Sequence, residues 1–288
     1  MFEQRLIKIS ESFLVDPHYQ AALGKLGLDS IDAVFSFDAA RSLTKSNLAP
    51  YRSRLQFEID LPDSPQPTTV FMKRYDCPPV SVQLRNWLSA RGRRSCGLCE
   101  SGPASELAAA GISTPKTICR GEQWGTLFEK RSFIITEKIP DAEAIERKLP
   151  GYFDARATSG NLRLRREFVT RLADFIKRFH ETQYRHRDLY FSHIFYSEDG
   201  RFHLIDLARA FRPVFLRRRF RVKDIAQIYY SAPGRYFSRT DRVRFYFGYT
   251  GRRELTSADK AFIREVAKKA KRMARHEIKH GREVPFAN

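Results

Sequence analysis

Long apolar runs are missing from this chain. None approaches the roughly 20 residues that a membrane-crossing helix needs. The opening stretch MFEQRLIKISESF is mixed and charged, without the apolar centre of a signal peptide. Neither secretion nor membrane spanning is expected, and a cytoplasmic location is. Cysteine is scarce: Cys77, Cys96, Cys99 and Cys119 are too few for a disulfide scaffold and fit a reducing compartment. Cys96 and Cys99 form a lone CxxC with no second pair to complete the four ligands of a structural zinc site, so they read as incidental thiols. No internal repeat and no low-complexity tract interrupts the 288 residues. Acidic residues are in deficit, 33 against 52 Lys and Arg, which leaves a net charge of +19. Such an excess calls for a polyanionic partner: nucleic acid, an anionic membrane surface or a phosphorylated substrate.

What the chain does have is apolar and aromatic bulk. Its 23 Phe and 12 Tyr exclude disorder along the whole length. The first half reads mainly as strand. Leu55, Phe57, Ile59 and Leu61 alternate with polar residues, a break at residues 62–67 rich in proline turns the chain, and Thr69–Tyr75 follows as the next strand. Residues 132–137 form a third. Between them, 105–110 reads as a helix closed by Gly111. The second half reads mainly as helix. From Glu167, the residues Phe168, Leu172, Phe175, Ile176 and Phe179 form one apolar stripe. A last helix opens at Thr256 with Asp259 as its capping-box partner and carries Phe262, Val266 and Met273 inward. The fold class is therefore α+β. The division falls at residues 138–141, giving a strand-rich region at 1–138 and a helical one at 139–288.

The stretch that carries chemistry is His186-Arg187-Asp188-Leu189-Tyr190-Phe191-Ser192-His193, followed by His203-Leu204-Ile205-Asp206. Asp199-Gly200 between short apolar runs predicts a two-residue hairpin turn. Opposed residues then sum to 399, which pairs Ser197 with Phe202, Phe195 with Leu204, and His193 with Asp206. With Asp188 just upstream, three polar groups converge. Phosphoryl transfer needs such a set: a carboxylate beside the acceptor hydroxyl, oxygen ligands for a divalent ion, and a cation on the nucleotide phosphates. Lys73, on its own strand, is the leading candidate for the cation.

These residues resemble the protein-kinase-like superfamily, and the wording HRDLYFSHIF…HLIDLARA is similar to the lipopolysaccharide core kinases, which act on heptose and Kdo sugars. Phe71-Met72-Lys73-Arg74-Tyr75 and Ala109-Ala110-Gly111-Ile112-Ser113-Thr114-Pro115 add to the likeness, which runs from about Leu55 to Tyr230. The resemblance implies a bilobal protein-kinase-like fold, with an antiparallel-sheet N-lobe and a mainly helical C-lobe. It implies that Asp188 deprotonates the acceptor hydroxyl, that Arg187 braces the loop, and that Asp206 and His193 hold the metal. Lys73 would hold the α/β-phosphates and pair with Glu100. Glu137 and Ile139 would lie where backbone groups meet adenine, and Asp224 would tie the catalytic loop to a later helix. The implied cofactors are ATP and Mg²⁺, with Mn²⁺ as the alternative.

The chain also departs from the kinase pattern. There is no GxGxxG, and the expected phosphate loop, residues 38–45, has no glycine, leaving Arg41 or Lys45 to cover the phosphates. Asp206 is followed by Leu207 and Ala208. His193 replaces an Asn and offers a nitrogen that Mg²⁺ does not favour. Gly102 and Pro103 are predicted to interrupt the helix presenting Glu100, which makes Glu106 the alternative. The activity expected is phosphorylation of a sugar hydroxyl on a lipopolysaccharide-type glycolipid at the cytoplasmic face of the inner membrane. The run Arg217-Arg218-Arg219-Phe220-Arg221 and the last helix would face anionic lipid. A protein or small-molecule kinase of the same fold is one rival. The other is a non-catalytic pseudokinase or nucleic-acid module using the basic face, although no recognised RNA or DNA module is present.

Overall fold

The computed structural model describes residues 6–10, 12–43, 49–153, 159–281 and 284. Two compact units divide the chain, Met1–Pro140 with Asp206–Ala210, and Asp141–Ile205 with Phe211–Asn288.

In the first unit, β1 (Ile7–Ser10) and β2 (Phe13–Val15) lead into the helices α1 (Pro17–Lys25) and α2 (Ile31–Ser36). The strands β3 (Arg41–Ser42), β4 (Arg52–Ile59) and β5 (Thr68–Asp76) follow, then the helices α3 (Val80–Ala90) and α4 (Cys96–Ala109), then β6 (Thr117–Trp124) and β7 (Glu129–Glu137). Among the described residues these strands form one antiparallel sheet in the order β1-β2-β6-β7-β5-β4-β3. Alternation sorts the two faces of β5. Val70 and Met72 point into a core with Phe57, Phe133, Ile135, Tyr19 and Leu23, so Lys73 points to the opposite face, toward α4.

The sequence predicts a break at Gly102-Pro103, but α4 runs through it. Pro103 costs the helix one hydrogen bond. Two things compensate. Cys99, Glu100, Pro103, Ala104 and Leu107 are all buried, and tertiary packing decides helicity more than propensity does. In addition, the first three helical N–H groups, orphans in an isolated helix, all have side-chain acceptors. Cys96 N–H donates to Glu129 Oε2 at 2.8 Å, Gly97 N–H to Ser132 Oγ at 2.9 Å, and Leu98 N–H to Ser95 Oγ at 3.1 Å. Glycine at 97 lets the helix approach β7, since a Cβ there would lie 3.0 Å from the Phe133 carbonyl oxygen.

The second unit opens with β8 (Ala142–Ala144), α5 (Ile145–Tyr152) and the long α6 (Ser159–Glu181). The strands β9 (Ile194–Ser197) and β10 (Phe202–Leu204) complete a small sheet ordered β10-β9-β8. The helices α7 (Arg217–Ser231), α8 (Arg239–Thr250) and α9 (Ser257–Lys279) finish it. The α6 stripe is buried as its spacing predicts, with Phe168 packing edge-on to Phe153, Tyr196 and Phe202. The α9 capping box of Thr256 and Asp259 forms. Met273 is only half-buried there, and Ala270 and Ala274 take the core positions instead.

The hairpin register differs from the predicted one. Phe202 pairs with Tyr196, His203 with Phe195, and Leu204 with Ile194. Opposed residues thus sum to 398, and Ile205 N–H donates to His193 O at 3.1 Å. The turn is one residue longer than predicted because Asp199 Oδ1 accepts from Arg201 N–H at 3.1 Å and from the Ser197 hydroxyl, with Gly200 at φ 79°. This is a three-residue loop closed by a left-handed glycine. His193 consequently stands opposite Ile205 rather than Asp206.

Gly121 tests the central packing of the first unit. A Cβ there would fall 2.4 Å from Cε1 of the fully buried Phe133 ring and 3.1 Å from Ser12 O. Gly121→Ala should lower stability by about 1–3 kcal/mol, read as a fall in the urea midpoint without a change in slope.

Candidate active site

The first unit brings together four of the charged groups on one face. Arg54 and Lys73 are paired across β4 and β5. Alternation aims both side chains to the side where α4 lies and where the short turn Leu207–Arg209 packs on α4. Lys73 Nζ donates to Glu100 Oε1 in a close ion pair and stands 3.5 Å from Asp206 Oδ1. Arg54 Nη2 donates to Asp206 Oδ2 at 3.3 Å. The other oxygen of Glu100 accepts from the Tyr75 hydroxyl at 3.0 Å. Burial pushes the Tyr75 phenol well above its usual pKa, so it serves as a neutral donor. Glu106, the alternative partner for Lys73, is exposed, and Glu100 is the carboxylate that meets Lys73.

Asp206 itself sits at φ 57°, in the left-handed region that non-glycine residues rarely adopt. Burial pushes up the thiol pKa values of Cys96 and Cys99 at the start of α4, which keeps both out of thiolate chemistry. Arg41 pairs within β3 against Gln56, and Lys45 lies outside the described residues. Glu137 closes β7, where its Oε2 accepts from the Tyr19 hydroxyl at 2.7 Å and its N–H donates to Lys116 O at 2.9 Å. Its side chain is thus engaged. Ile139, two residues on, is half-buried.

The second unit holds Asp188, Arg187 and His193 on a loop whose backbone is fastened to α7. Asp224 is fully buried, and its carboxylate accepts from His186 N–H and Arg187 N–H, each at 2.9 Å. Leu189 N–H donates to Gln227 Oε1 at 3.0 Å and Phe191 N–H to Ser231 Oγ at 3.1 Å. Asp224, Gln227 and Ser231 fall at i, i+3 and i+7, one buried polar stripe on α7. Arg187 adopts φ 71°, with its carbonyl accepting from Gln227 Nε2 at 2.8 Å and from Lys223 Nζ. Those bonds hold a backbone conformation that costs about 1–3 kcal/mol. Lys223 Nζ also stands 3.9 Å from Asp188 Oδ1, a cation beside the carboxylate. His193 Nδ1 donates to Asp188 O at 2.8 Å. The Arg187 guanidinium lies over the Phe211 ring, 5.2 Å from its centroid.

His180 backs this arrangement. Its Nε2 is 3.3 Å from Asp224 Oδ2 and its Nδ1 is 2.8 Å from the Tyr249 hydroxyl. Burial lowers the pKa of His180, so the ring is neutral, donating from Nε2 and accepting at Nδ1. For Asp224, burial raises the carboxyl pKa, but the hydrogen bond from His180 and its other donors outweigh it, and the net shift is downward.

Arg54, Tyr75, Lys223, Gln227 and Ser231 escape a reading of the sequence. The α7 residues carry a signal that could reveal them, polar side chains at helical spacing among Val222, Ile225, Ala226 and Ile228. Arg54 carries none, because its neighbour Lys73 is set by a strand register that the intervening loop does not disclose.

A strand lysine held by a helix glutamate beside a left-handed aspartate, and a second aspartate on a loop pinned to a buried helix, define a protein-kinase-like phosphotransferase. Residues 99–249 match the Lipopolysaccharide kinase (Kdo/WaaP) family, and the chain belongs to that family. It is 28% identical over 187 residues to the lipopolysaccharide core heptose(I) kinase WaaP of Pseudomonas aeruginosa, covering 61% of this chain and 68% of that one. It is 26% identical over 231 residues to the WaaP of Escherichia coli K12, covering 77% and 84%. A solved structure described as WaaP in complex with acyl carrier protein shares the fold, with a TM-score of 0.67 at 23% identity over 93% of this chain and 99% of that one. The chain is a kinase of lipopolysaccharide, and this class of enzyme uses ATP and a divalent metal ion.

Lys223 positions the loop carrying Asp188. Lys223→Met should lower kcat about 10- to 100-fold and leave the ATP-induced rise in Tm unchanged. A variant whose activity matches the wild type would remove Lys223 from this role.

Stability should also depend on pH. Burial lowers the pKa values of His180, His186 and His203 below the ordinary 6.5. Above that pH the rings are neutral in both the folded and unfolded chain and contribute nothing. As pH falls through 6.5 the unfolded chain takes up protons that the folded one cannot, so stability drops by up to about 1.4 kcal/mol per pH unit for each histidine. The drop ends below the folded-state values. Urea midpoints at pH 7.5 and 5.5 should differ, the lower belonging to pH 5.5. Equal midpoints would contradict the assignment.

Proposed function

We propose that this chain transfers the γ-phosphoryl group of ATP, bound as its Mg²⁺ complex, to a sugar hydroxyl of the lipopolysaccharide core. A heptose, the sugar on which the named relatives act, is the acceptor. The observation that carries the reading is the cluster of Lys73, Glu100 and Asp206. Glu100 keeps the Lys73 ammonium extended, ready to meet α- and β-phosphate oxygens. Arg54 adds a second cation beside it. Residues 137–139 offer backbone groups to adenine, Glu137 through its carbonyl and Ile139 through its N–H.

Asp206 supplies hard carboxylate oxygens of the kind Mg²⁺ prefers. A Mg²⁺ ion that enters with the nucleotide phosphates needs only one or two protein carboxylates. When bound, the ion neutralises charge on the phosphates. His193 presents a nitrogen, Nε2, and so joins the metal through water or favours Mn²⁺.

Asp188 accepts the proton of the sugar hydroxyl as its oxygen bonds to the γ-phosphorus and the bond to the β-phosphate bridging oxygen breaks, releasing ADP. Arg187 and Lys223 keep the loop in place. The reaction takes place at the cytoplasmic face of the inner membrane, where ATP and the glycolipid meet. No helix among the described residues is long and apolar enough to cross a membrane.

The test is transfer of labelled phosphate from ATP to core glycolipids, proteins and free sugars. Asp188→Ala should cut kcat by about 10²- to 10⁴-fold while the ATP·Mg²⁺ shift in Tm persists. A wild type that gains no stability from ATP·Mg²⁺ yet retards RNA in a salt-dependent manner would refute the reading.

A further inference from the structure

Three consecutive large apolar residues stand in solvent at the start of α7: Val214 is 45% exposed, Phe215 82% and Leu216 60%. Single exposed apolar residues are ordinary, but a contiguous apolar projection is not. The base of this projection is held firmly. The Phe211 and Phe220 rings on either side pack edge to face, with centroids 4.8 Å apart. Pro213 is buried, and its carbonyl accepts from Arg217 Nε at 3.3 Å. Leu216 occupies the left-handed region at φ 57°, where a side chain is strained and glycine or asparagine would be at ease. The chain thus keeps a leucine, at a cost, where its side chain is left in water.

The charge around the tip is of one sign. Arg212, Arg217, Arg218, Arg219 and Arg221 are all exposed. Arg218 grips Glu265 through both nitrogens, Nη2 at 3.0 Å and Nε at 3.3 Å, which fastens the base of the tip to α9. From there α9 continues without an acidic residue from Val266 to His276, and Lys268, Lys271, Arg272 and Arg275 line a groove along it.

We propose that Val214, Phe215 and Leu216 insert into the hydrocarbon edge of an anionic bilayer, with the surrounding arginines and the α9 cations on lipid phosphates. The inference rests on the reading above that the acceptor is a membrane glycolipid, and it names the element that brings the enzyme to that surface. Apolar side chains ringed by cations fit the boundary between headgroups and acyl chains. A nucleic acid would match the cations but offers three adjacent aliphatic and aromatic side chains no hydrocarbon to enter.

The experiment is sedimentation of the full chain with vesicles of phosphatidylglycerol and phosphatidylcholine, against phosphatidylcholine alone, in the absence of nucleotide. Wild type should bind only the anionic vesicles, and less so as salt rises. Phe215→Ser and Leu216→Ser should each weaken binding about tenfold or more, and Arg217→Glu with Arg219→Glu should do the same. Phe215→Trp should blue-shift on anionic vesicles and be quenched by brominated acyl chains. Unchanged binding of Phe215→Ser, an unshifted Phe215→Trp, or binding to RNA in preference to anionic vesicles would each overturn the proposal. ATP·Mg²⁺ thermal shifts run on the same variants keep the two readings apart. A tip that fails to insert leaves the nucleotide response intact, and a protein that ignores ATP can still bind vesicles.

Discussion

The seat of Glu100 is the constraint on which the placement of the Lys73 ammonium depends. A lysine on a strand is flexible and would wander toward any anion; the glutamate pins it. That glutamate in turn is only as well placed as α4, a helix containing an internal proline and two glycines. Glu129, Ser132 and Ser95 therefore matter more than their distance from the chemistry suggests, because they hold the first turn of α4 against β7. Burial raises the Glu129 carboxyl pKa, while hydrogen bonds from Ser132 and Cys96 oppose the shift. The helix N-terminus and its caps thus form a small buried polar network that packing alone could not replace.

A different solution serves the loop carrying Asp188. It has little regular structure, so its backbone N–H groups cannot be satisfied by a ladder. Asp224, Gln227 and Ser231 take them instead, one helix face standing in for a neighbouring strand. This frees the loop to hold Arg187 at a positive φ and to turn the carbonyl of Asp188 onto His193. Burial favours the neutral form of the histidine behind Asp224, and the buried carboxylate keeps its charge because His180 and the backbone N–H groups it accepts from outweigh its desolvation.

Much of this was readable from residues because local patterns and distant motifs agreed. Period-two alternation placed the strands bearing Leu55 and Lys73, and the stripe from Phe168 to Phe179 placed α6. The HRD text with a later Asp pointed to the kinase family that the match over residues 99–249 shows. Two readings failed where local rules were outweighed. Gly102-Pro103 argued for a helix break, yet caps and burial contributed by residues some 30 positions away keep the helix whole. Asp199-Gly200 argued for a two-residue turn, yet the Asp199 side chain bonds both flanks and draws in one more residue, which shifts every pairing in the hairpin by one. Side-chain hydrogen bonding within a turn is invisible to a dipeptide rule.

The register shift carries a further consequence for how Asp206 is held. Had the predicted ladder extended, Asp206 would be a strand residue with its direction dictated by the pleat. The last ladder bond instead falls at Ile205, and Asp206 turns into the left-handed region to begin a short turn that packs with α4. Its carboxylate is then oriented by Lys73 and Arg54, two cations from neighbouring strands, rather than by a hairpin partner. The absence of Phe-Gly after it fits this account, because Leu207 is buried and anchors the turn. One buried leucine and two ion pairs thus hold the segment. The position of Asp206 is therefore set by the strand cations and α4, the same elements that set Lys73.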